Sequence, residues 1–598
     1  MAGQYQVAGC LAHGGLGWIY LAQDLNLDGS WVVLKGLLDS GDDAAMAAAL
    51  VEKRYLTEVK HPNIVRIYNF VQHADAGYIV MEYIGGESLR ELRIRHRDET
   101  GGPLSVAQSI AYLLGILPAL DFLHRRGLLF CDFKPDNVIH TEEQLTLIDL
   151  GGVRHIDDRV SDLYGTAGYQ APEIAEGQAS IASDLYTVAR ALAVLSVDFA
   201  GYQDEKRYAY KLPPVGDVPA FQRYESFHLF LQKATAIDPT ARFQSAAEMA
   251  EQLVGVLRQV VALDGGNPPS APSTLFSAEL GASPDENPWS FLPIPAVDPM
   301  DPAAGVVATV ALLGSDQRQA LLESTPRSPE LSLTMARLAI DEGDLELAER
   351  ELASPEARDS GWRVAWWHGV LLLAQDRPAD ALPYFSAVAA QMPGELAPKL
   401  AMATCFEEDA RQRAAAGPTG NGTDAGTAQL HDAVGYYSLV AGTDPGFASA
   451  SFGLARVYEL LGDRDEAVSA LQRIPKSSSA YLTAQIALCR VRCATLRGQA
   501  PTFDDLAASS STLAALTLET SRRLPLERDL HQVTLRLLLD GSVDTDAGVL
   551  IGGAELDEDG QRTALEKAYR SLAKLSSTQE QRWSLVDLAN ECRPRTRT

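Results

Sequence analysis

Cysteine is scarce: six residues in 598, at positions 10, 131, 405, 489, 493 and 592, with no two at the C-x-x-C spacing. That excludes a disulfide-stapled fold and argues against a zinc or iron knuckle, so reduced thiols and no iron site are expected. Cys489 and Cys493 are four apart and would share a helix face, but two soft ligands without partners point to packing. Long apolar runs are missing too. Stretches such as IAYLLGILPAL are short and interrupted, and the first residues, MAGQYQVAGC, carry neither the basic region nor the apolar core of a signal peptide. Basic residues are outnumbered by acidic ones, 51 against 79, giving a net charge of −28. Both halves of the chain are acidic, so no nucleic-acid surface is expected, and a cytoplasmic protein without membrane insertion follows.

What is present is enough for several cores: 46% of the residues are hydrophobic, and the length exceeds what one core accommodates. Up to about residue 260, β-rich runs (YQVAGCLA, WVVLKGLL, IVRIYNFV, GYIVMEYI) precede helical patterns, which predicts an α+β domain with a small lobe over about 1–84 and a large lobe over about 85–260. Residues 261–304 are rich in Pro, Ser, Gly and Asp and read as a linker, with Trp289, Phe291 and Leu292 as candidates for packing. From 305 to 598 the chain is amphipathic, Ala- and Leu-rich helix. A tetratricopeptide repeat has about 34 residues, with small residues at positions 8 and 20, a large apolar one near 24 and Pro near 32. The unit 362–395 supplies Gly369, Ala381, Phe385 and Pro393. The unit 329–361 supplies Ala336, Ala348 and Leu352. The third, 396–447, begins with Ala403 and is interrupted near 411–428 by the low-complexity tract GPTGNGTDAGT; once this is set aside, Ala433, Tyr437 and Pro445 fall in phase. The fourth, 448–481, gives Ala455, Ala467 and Leu471. An all-α, TPR-like solenoid closed by C-terminal capping helices is expected.

The chemistry lies in the first segment. FCDFKPDN, residues 130–137, sets Asp132, Lys134 and Asn137 at the spacing of a protein-kinase catalytic loop, where the Asp orients the acceptor hydroxyl, the Lys stabilises the transferring phosphoryl and the Asn binds metal. Twelve residues on, LIDLGG places Asp149 as the second metal ligand, with Leu150 in the place of the usual Phe. AHGGLGWIYLA supplies a phosphate clamp: Gly14 and Gly17 at the second and third glycine positions, Gly15 between them, Ala12 where the first glycine is expected, and Ile19 over the adenine. Lys35 is the strand Lys for the phosphates, Val33 roofs the adenine and Ile139 floors it. Glu52 is the expected partner of Lys35, with Glu58 as the alternative. Met81 stands in the gatekeeper place, and the backbone of Glu82 and Ile84 faces the adenine. GTAGYQAPE from Gly165 to Glu173, Asp184, and Arg242 as the partner of Glu173 are features of protein kinases rather than of small-molecule kinases. The expected cofactors are ATP with Mg²⁺ or Mn²⁺.

AHGGLGWIYLA, VVLKG, GYIVMEY, TEEQLTLIDLGG, QAPEI and PGELAPKLA, followed by a repeat array and the ending RWSLVDLANECRP, resemble the actinobacterial serine/threonine kinases called protein kinase G. The resemblance spans essentially the whole chain. It implies a non-specific serine/threonine protein kinase, an FHA-domain regulator of 2-oxoglutarate dehydrogenase as a protein substrate, and control of glutamate metabolism; the repeat array is expected to dock substrates or partners or to form a homodimer. The family's rubredoxin-like module with two Cys pairs has no counterpart in this sequence, so its redox control is not carried over. Phe130 and Cys131 replace the usual His and Arg. A neutral Cys cannot bind an activation-loop phosphate, which predicts activity without phosphorylation of Ser161, Tyr164 or Thr166. Two other readings compete: a catalytically weak pseudokinase scaffold, and a peptide-binding adaptor built on the repeats and regulated by the kinase domain.

Overall fold

A computed structural model describes the chain apart from residues 15–16, 37–52, 74–75, 143, 159–164, 280–286, 288, 311, 359, 416–422 and 595–598. Glu52, Gly15, Ser161, Tyr164 and the centre of the repeat insertion therefore lie outside the described residues. The chain divides into two compact units, residues 1–264 with 390–394, and residues 265–389 with 395–598.

The first unit opens with a five-stranded antiparallel sheet in the order β1-β2-β3-β5-β4, formed by Tyr5–Gly14 (β1), Gly17–Asp24 (β2), Ser30–Gly36 (β3), Ile67–His73 (β4) and Ala76–Glu82 (β5). The alternation of β3 buries Val32 and Leu34 against Ala22 and Val80. Its partner face belongs to a larger core shared with helices. In Val106–His124, Ile110, Leu113, Leu117 and Leu120 recur at helical spacing and are fully buried. Each such side chain contributes about 1.5–3 kcal/mol when removed from water. Val106–His124 is long and apolar enough to cross a membrane, yet its apolar residues are the centre of this core. The helix Ile181–Ser196 is buried almost throughout. Ser88 starts the helix Leu89–Thr100 with a capping box to Glu91, and Gly101 ends it at a φ of 79°.

The second unit is helical, and its helix pairs begin at the phased positions: Pro329–Glu342 with Leu345–Leu352, Trp362–Ala374 with Pro378–Gln391, Ala397–Ala415 with Thr423–Thr443, and Ala448–Leu461 with Arg464–Gln472. The small residues Ala348, Ala381, Ala433 and Ala467 are fully buried. A Cβ on Gly369 would meet the Phe385 ring at 2.6 Å, which is why that position is small. The insertion differs from a bare interruption of the repeat. Ala-rich flanks carry one helix to Ala415 and start the next at Thr423, so the third pair is lengthened on both sides. A fully buried carboxylate joins this pair to the next: Glu407 takes both bonds of the Arg456 guanidinium, at 2.7 and 2.8 Å, and the Tyr437 hydroxyl at 2.8 Å.

The stretch expected as a linker behaves differently at its two ends. The helix Ala246–Leu263 runs into it, and the described part of 265–303 packs within the second unit through Phe276, Phe291 and Leu292, all buried. Aromatic side chains among the Pro and Ser give this tract enough apolar area to fold onto the repeats. The closing helices Tyr481–Cys493, Phe503–Ala515, Thr520–Leu539, Glu558–Leu575 and Gln579–Cys592 are interrupted by a hairpin, Asp546–Ile551 with Ala554–Leu556. Sequence reading passed over this hairpin. Its signal is the pair Gly552 and Gly553, both at positive φ, between apolar strand residues.

Candidate active site

The site is assembled from strand ends and turns of the first unit. Ala12 pairs with Ile19 and Gly14 with Gly17 across the β1–β2 turn, and Ile19 pairs in turn with Lys35 on β3. Val33 lies opposite Met81, and Val32 opposite Glu82, between β3 and β5. Met81 is buried, while Glu82 and Ile84 are half-buried where β5 runs out into the large lobe. Ile139 sits on the short strand Val138–His140, paired with Ser88 and Thr146.

Lys35 extends to Asp149, Nζ to Oδ1 at 2.5 Å, and the Gly151 N–H donates to the same oxygen at 2.9 Å. Burial works to raise the Asp149 carboxyl, but the Lys35 ammonium, its hydrogen bond and the Gly151 amide together hold it below the ordinary carboxylate range. Among the described residues both donors fall on Oδ1, and Oδ2 is the oxygen open to a cation. Glu58, the alternative partner for Lys35, is exposed in the 3₁₀ turn Lys53–Glu58. Leu150 is buried, so the apolar packing role of that position is kept.

The Asp132 carboxylate is a junction. Lys134 Nζ donates to its Oδ2 at 2.7 Å and Thr166 Oγ1 donates to its Oδ1 at 2.7 Å, while Lys134 also donates to Thr166 at 2.8 Å. Asn137 Nδ2 donates to the Asp132 carbonyl at 2.9 Å, which commits the amide nitrogen and turns its oxygen into the available acceptor. The loop is held from behind by buried Asp184, whose Oδ2 accepts from the Phe130 N–H at 2.6 Å and lies 3.0 Å from His124 Nε2, while its Oδ1 accepts from the Cys131 N–H at 2.7 Å. These bonds fix Cys131 at a φ of 67°, a left-handed conformation uncommon for a side chain with a Cβ. Burial first, then the charge of Asp184, push the Cys131 thiol far above its ordinary range. Phe130 is fully buried, edge-on to Phe133.

Arg242 and Glu173 form a bidentate pair at 2.7 and 2.9 Å with the guanidinium fully buried. Breaking one side of such a pair costs about 3–5 kcal/mol, because the other charge is left without a partner. Arg190 was missed by sequence reading. It is fully buried and donates to the carbonyls of Gly168, Tyr202, Tyr208 and Lys211, fixing the segment that follows Thr166. A single Arg inside the apolar helix LYTVARALAVL is the signal that could have found it.

Among the described residues no three His, Cys, Asp or Glu side chains gather as a metal cluster. Mg²⁺ does not ask for one: it is held by one or two protein oxygens, with substrate phosphates and water completing the octahedron. Asn137 and Asp149 fit that donor set.

The protein kinase domain family matches residues 5–252, and the family described as protein kinase G tetratricopeptide repeat matches residues 286–596. The chain is 38% identical to the serine/threonine-protein kinase PknG of Mycolicibacterium smegmatis, over 99% of this chain and 79% of that one. It is 39% identical to PknG of Mycobacterium leprae over the same shares. The solved kinase domain of Mycobacterium tuberculosis PknI is 26% identical, with a TM-score of 0.34, covering 42% of this chain and 95% of that one. Kinase-domain and repeat-domain matches together, with identity to full-length relatives across nearly the whole sequence, place the chain in the PknG family of serine/threonine protein kinases.

Proposed function

We propose that the first unit transfers the γ-phosphoryl of ATP to Ser or Thr hydroxyls with Asp132 as the group that orients the acceptor and takes its proton. The observation that carries this reading is the Asp132–Lys134–Thr166 triangle, in which every side is a hydrogen bond of 2.7 to 2.8 Å. Thr166 donates its hydroxyl to Asp132 as an incoming acceptor would. Lys134, cationic and within reach of Asp132, neutralises charge that develops on the transferred group. Lys35 grips the α- and β-phosphates, and Asp149 keeps it aligned. Adenine lies between Val33 and Ile139, flanked by Ile19 and Met81, with the backbone of Glu82 and Ile84 reading its edge. The glycine turn of Ala12, Gly14, Gly15 and Gly17 covers the phosphates, and Glu52 supports Lys35. A bound Mg²⁺, held by Asn137 and Asp149, supplies charge neutralisation across the phosphates.

Cys131 supports a finer reading. A neutral, half-buried thiol stands where an Arg would receive an activation-loop phosphate, so activity does not require phosphorylation of Ser161 or Tyr164. The repeat domain docks protein substrates or partners, an FHA-domain metabolic regulator among them, or joins two copies of the chain, in a cytoplasmic role linked to glutamate metabolism.

The test is transfer of radiolabelled phosphate by wild type and by Asp132→Asn, offered a purified FHA-domain protein and a cell lysate. The variant is expected to lose at least about two orders of magnitude in rate, the usual contribution of a positioned base. Equal labelling by the two proteins leaves only a scaffold. Ser161→Ala combined with Tyr164→Phe is expected to retain wild-type transfer.

A further inference from the structure

Residues 265–279 run along the repeat helices of the second unit and are fastened to them by side chains that are mostly hydroxyls and carboxylates. Ser270 Oγ donates to the two carboxylate oxygens of Asp444, each at 3.0 Å. Ser273 Oγ donates to Glu395 at 2.7 Å. Phe276 lies 5.0 Å from the Trp362 ring and 4.8 Å from the Trp366 ring, centroid to centroid, and Glu279 accepts the N–H of Ser449 at 2.9 Å. Ser270 is exposed, whereas Asp444 is 4% exposed. The contact therefore joins an accessible hydroxyl to a carboxylate that cannot turn away into water.

This contact works only while the hydroxyl is unmodified. A phosphoserine carries a charge of about −1.5 to −2 and has no proton to donate in its dianionic form, so beside a carboxylate it repels where the hydroxyl attracted. A buried carboxylate also feels that repulsion through less solvent screening than an exposed one. We propose that Ser270 is a phosphoacceptor, modified by a second copy of this kinase, and that its phosphate unfastens residues 265–279 from the repeat array. The proposal rests on the phosphotransfer reading of the first unit. In the step, Ser270 Oγ bonds to the γ-phosphorus, the bond from that phosphorus to the β,γ-bridging oxygen breaks, and ADP leaves with the electron pair. The hydroxyl proton passes to the Asp132 carboxylate of the copy acting as enzyme and then to solvent. Ser270 becomes an acceptor when the segment lifts, and the phosphate blocks its return. Phe276 then leaves its seat, and the faces of Trp362 and Trp366 become available to a partner.

The experiment takes full-length Asp132→Asn chain as acceptor and wild-type chain as enzyme with Mg²⁺ and ATP, and measures transfer to a generic Ser/Thr peptide in parallel. Phosphosites are mapped by mass spectrometry, and amide exchange of residues 271–279 is followed in the modified acceptor. Ser270 is expected to be modified, and exchange in 271–279 to rise roughly tenfold or more, as loss of a charge-opposed contact predicts. An acceptor that also carries Asp444→Asn, which keeps an oxygen for the hydroxyl but removes the charge, is expected to show a much smaller rise at equal phosphate occupancy. Ser270→Glu in the full chain is expected to reproduce the rise without ATP. Peptide labelled but Ser270 unmodified overturns the proposal alone; no transfer to the peptide overturns the kinase reading and the proposal with it. Modified Ser270 with unchanged exchange, or an equal rise in the Asp444→Asn acceptor, overturns the unfastening.

Discussion

At the scale of single residues, Cys131 is defined by what surrounds it. The Phe130 and Cys131 amides are held by Asp184, the backbone at Cys131 is left-handed, and the side chain is half-buried. Burial and the Asp184 charge disfavour the thiolate, and the thiolate is the form that reacts. Iodoacetamide at pH 8 is thus expected to alkylate exposed Cys10 in the folded protein and to spare Cys131 until denaturant is added, with peptide mapping as the readout. Equal labelling of the two would show that the loop opens in the native state. Much at this scale was legible beforehand. FCDFKPDN and LIDLGG carry their geometry in local spacing, so Asp132, Lys134, Asn137 and Asp149 could be named from the sequence. What the motifs do not encode is which distant group completes each one. The donation from Arg190 to four carbonyls and the Glu407–Arg456 pair join residues far apart in the chain, and a helix's own sequence does not say which carbonyl or carboxylate its charge will meet.

Elements raise a different question, that of what holds a helix end. The N–H of Ser449, in the first turn of Ala448–Leu461, donates to Glu279 from a separate segment rather than to a cap of its own. Burial raises the Glu279 carboxyl to about 7, with the hydrogen bonds from Ser449 and Ala448 opposing the shift. A carboxyl raised on folding binds more protons in the native state, so its contribution is full below the unfolded value near 4.5 and is lost as pH climbs through about 7. Glu279→Gln keeps an acceptor for the amide and cannot ionise. It is expected to raise Tm relative to wild type at pH 8 and to leave it unchanged at pH 4.5 or below. A Tm difference that does not vary with pH would rule out titration of Glu279 as the cause. The helix pairs themselves followed from the repeat period, because close approach of two helices imposes small residues at fixed positions. The fastening of 265–279 did not, since a Pro- and Ser-rich tract looks the same in sequence whether it hangs free or lies on a surface.

For the molecule as a whole, the break between the compact units falls at Asp264, so the tract that follows belongs with the repeats. Phe276, Phe291 and Leu292 bury their side chains there. A chain of residues 265–598 is expected to melt cooperatively, and one of residues 304–598 to melt several degrees lower, because burying each of these side chains stabilises the fold by about 1.5–3 kcal/mol. Identical melting curves would mean that the tract contributes nothing to the fold. The seat of Phe276 also gives the protein an optical reporter. Trp366 is fully buried with no acceptor for its indole N–H among the described residues, while Phe276 packs against both it and Trp362. An indole so placed emits at short wavelength and shifts to the red when water reaches it, so intrinsic fluorescence can time the lifting of residues 265–279 in unlabelled protein.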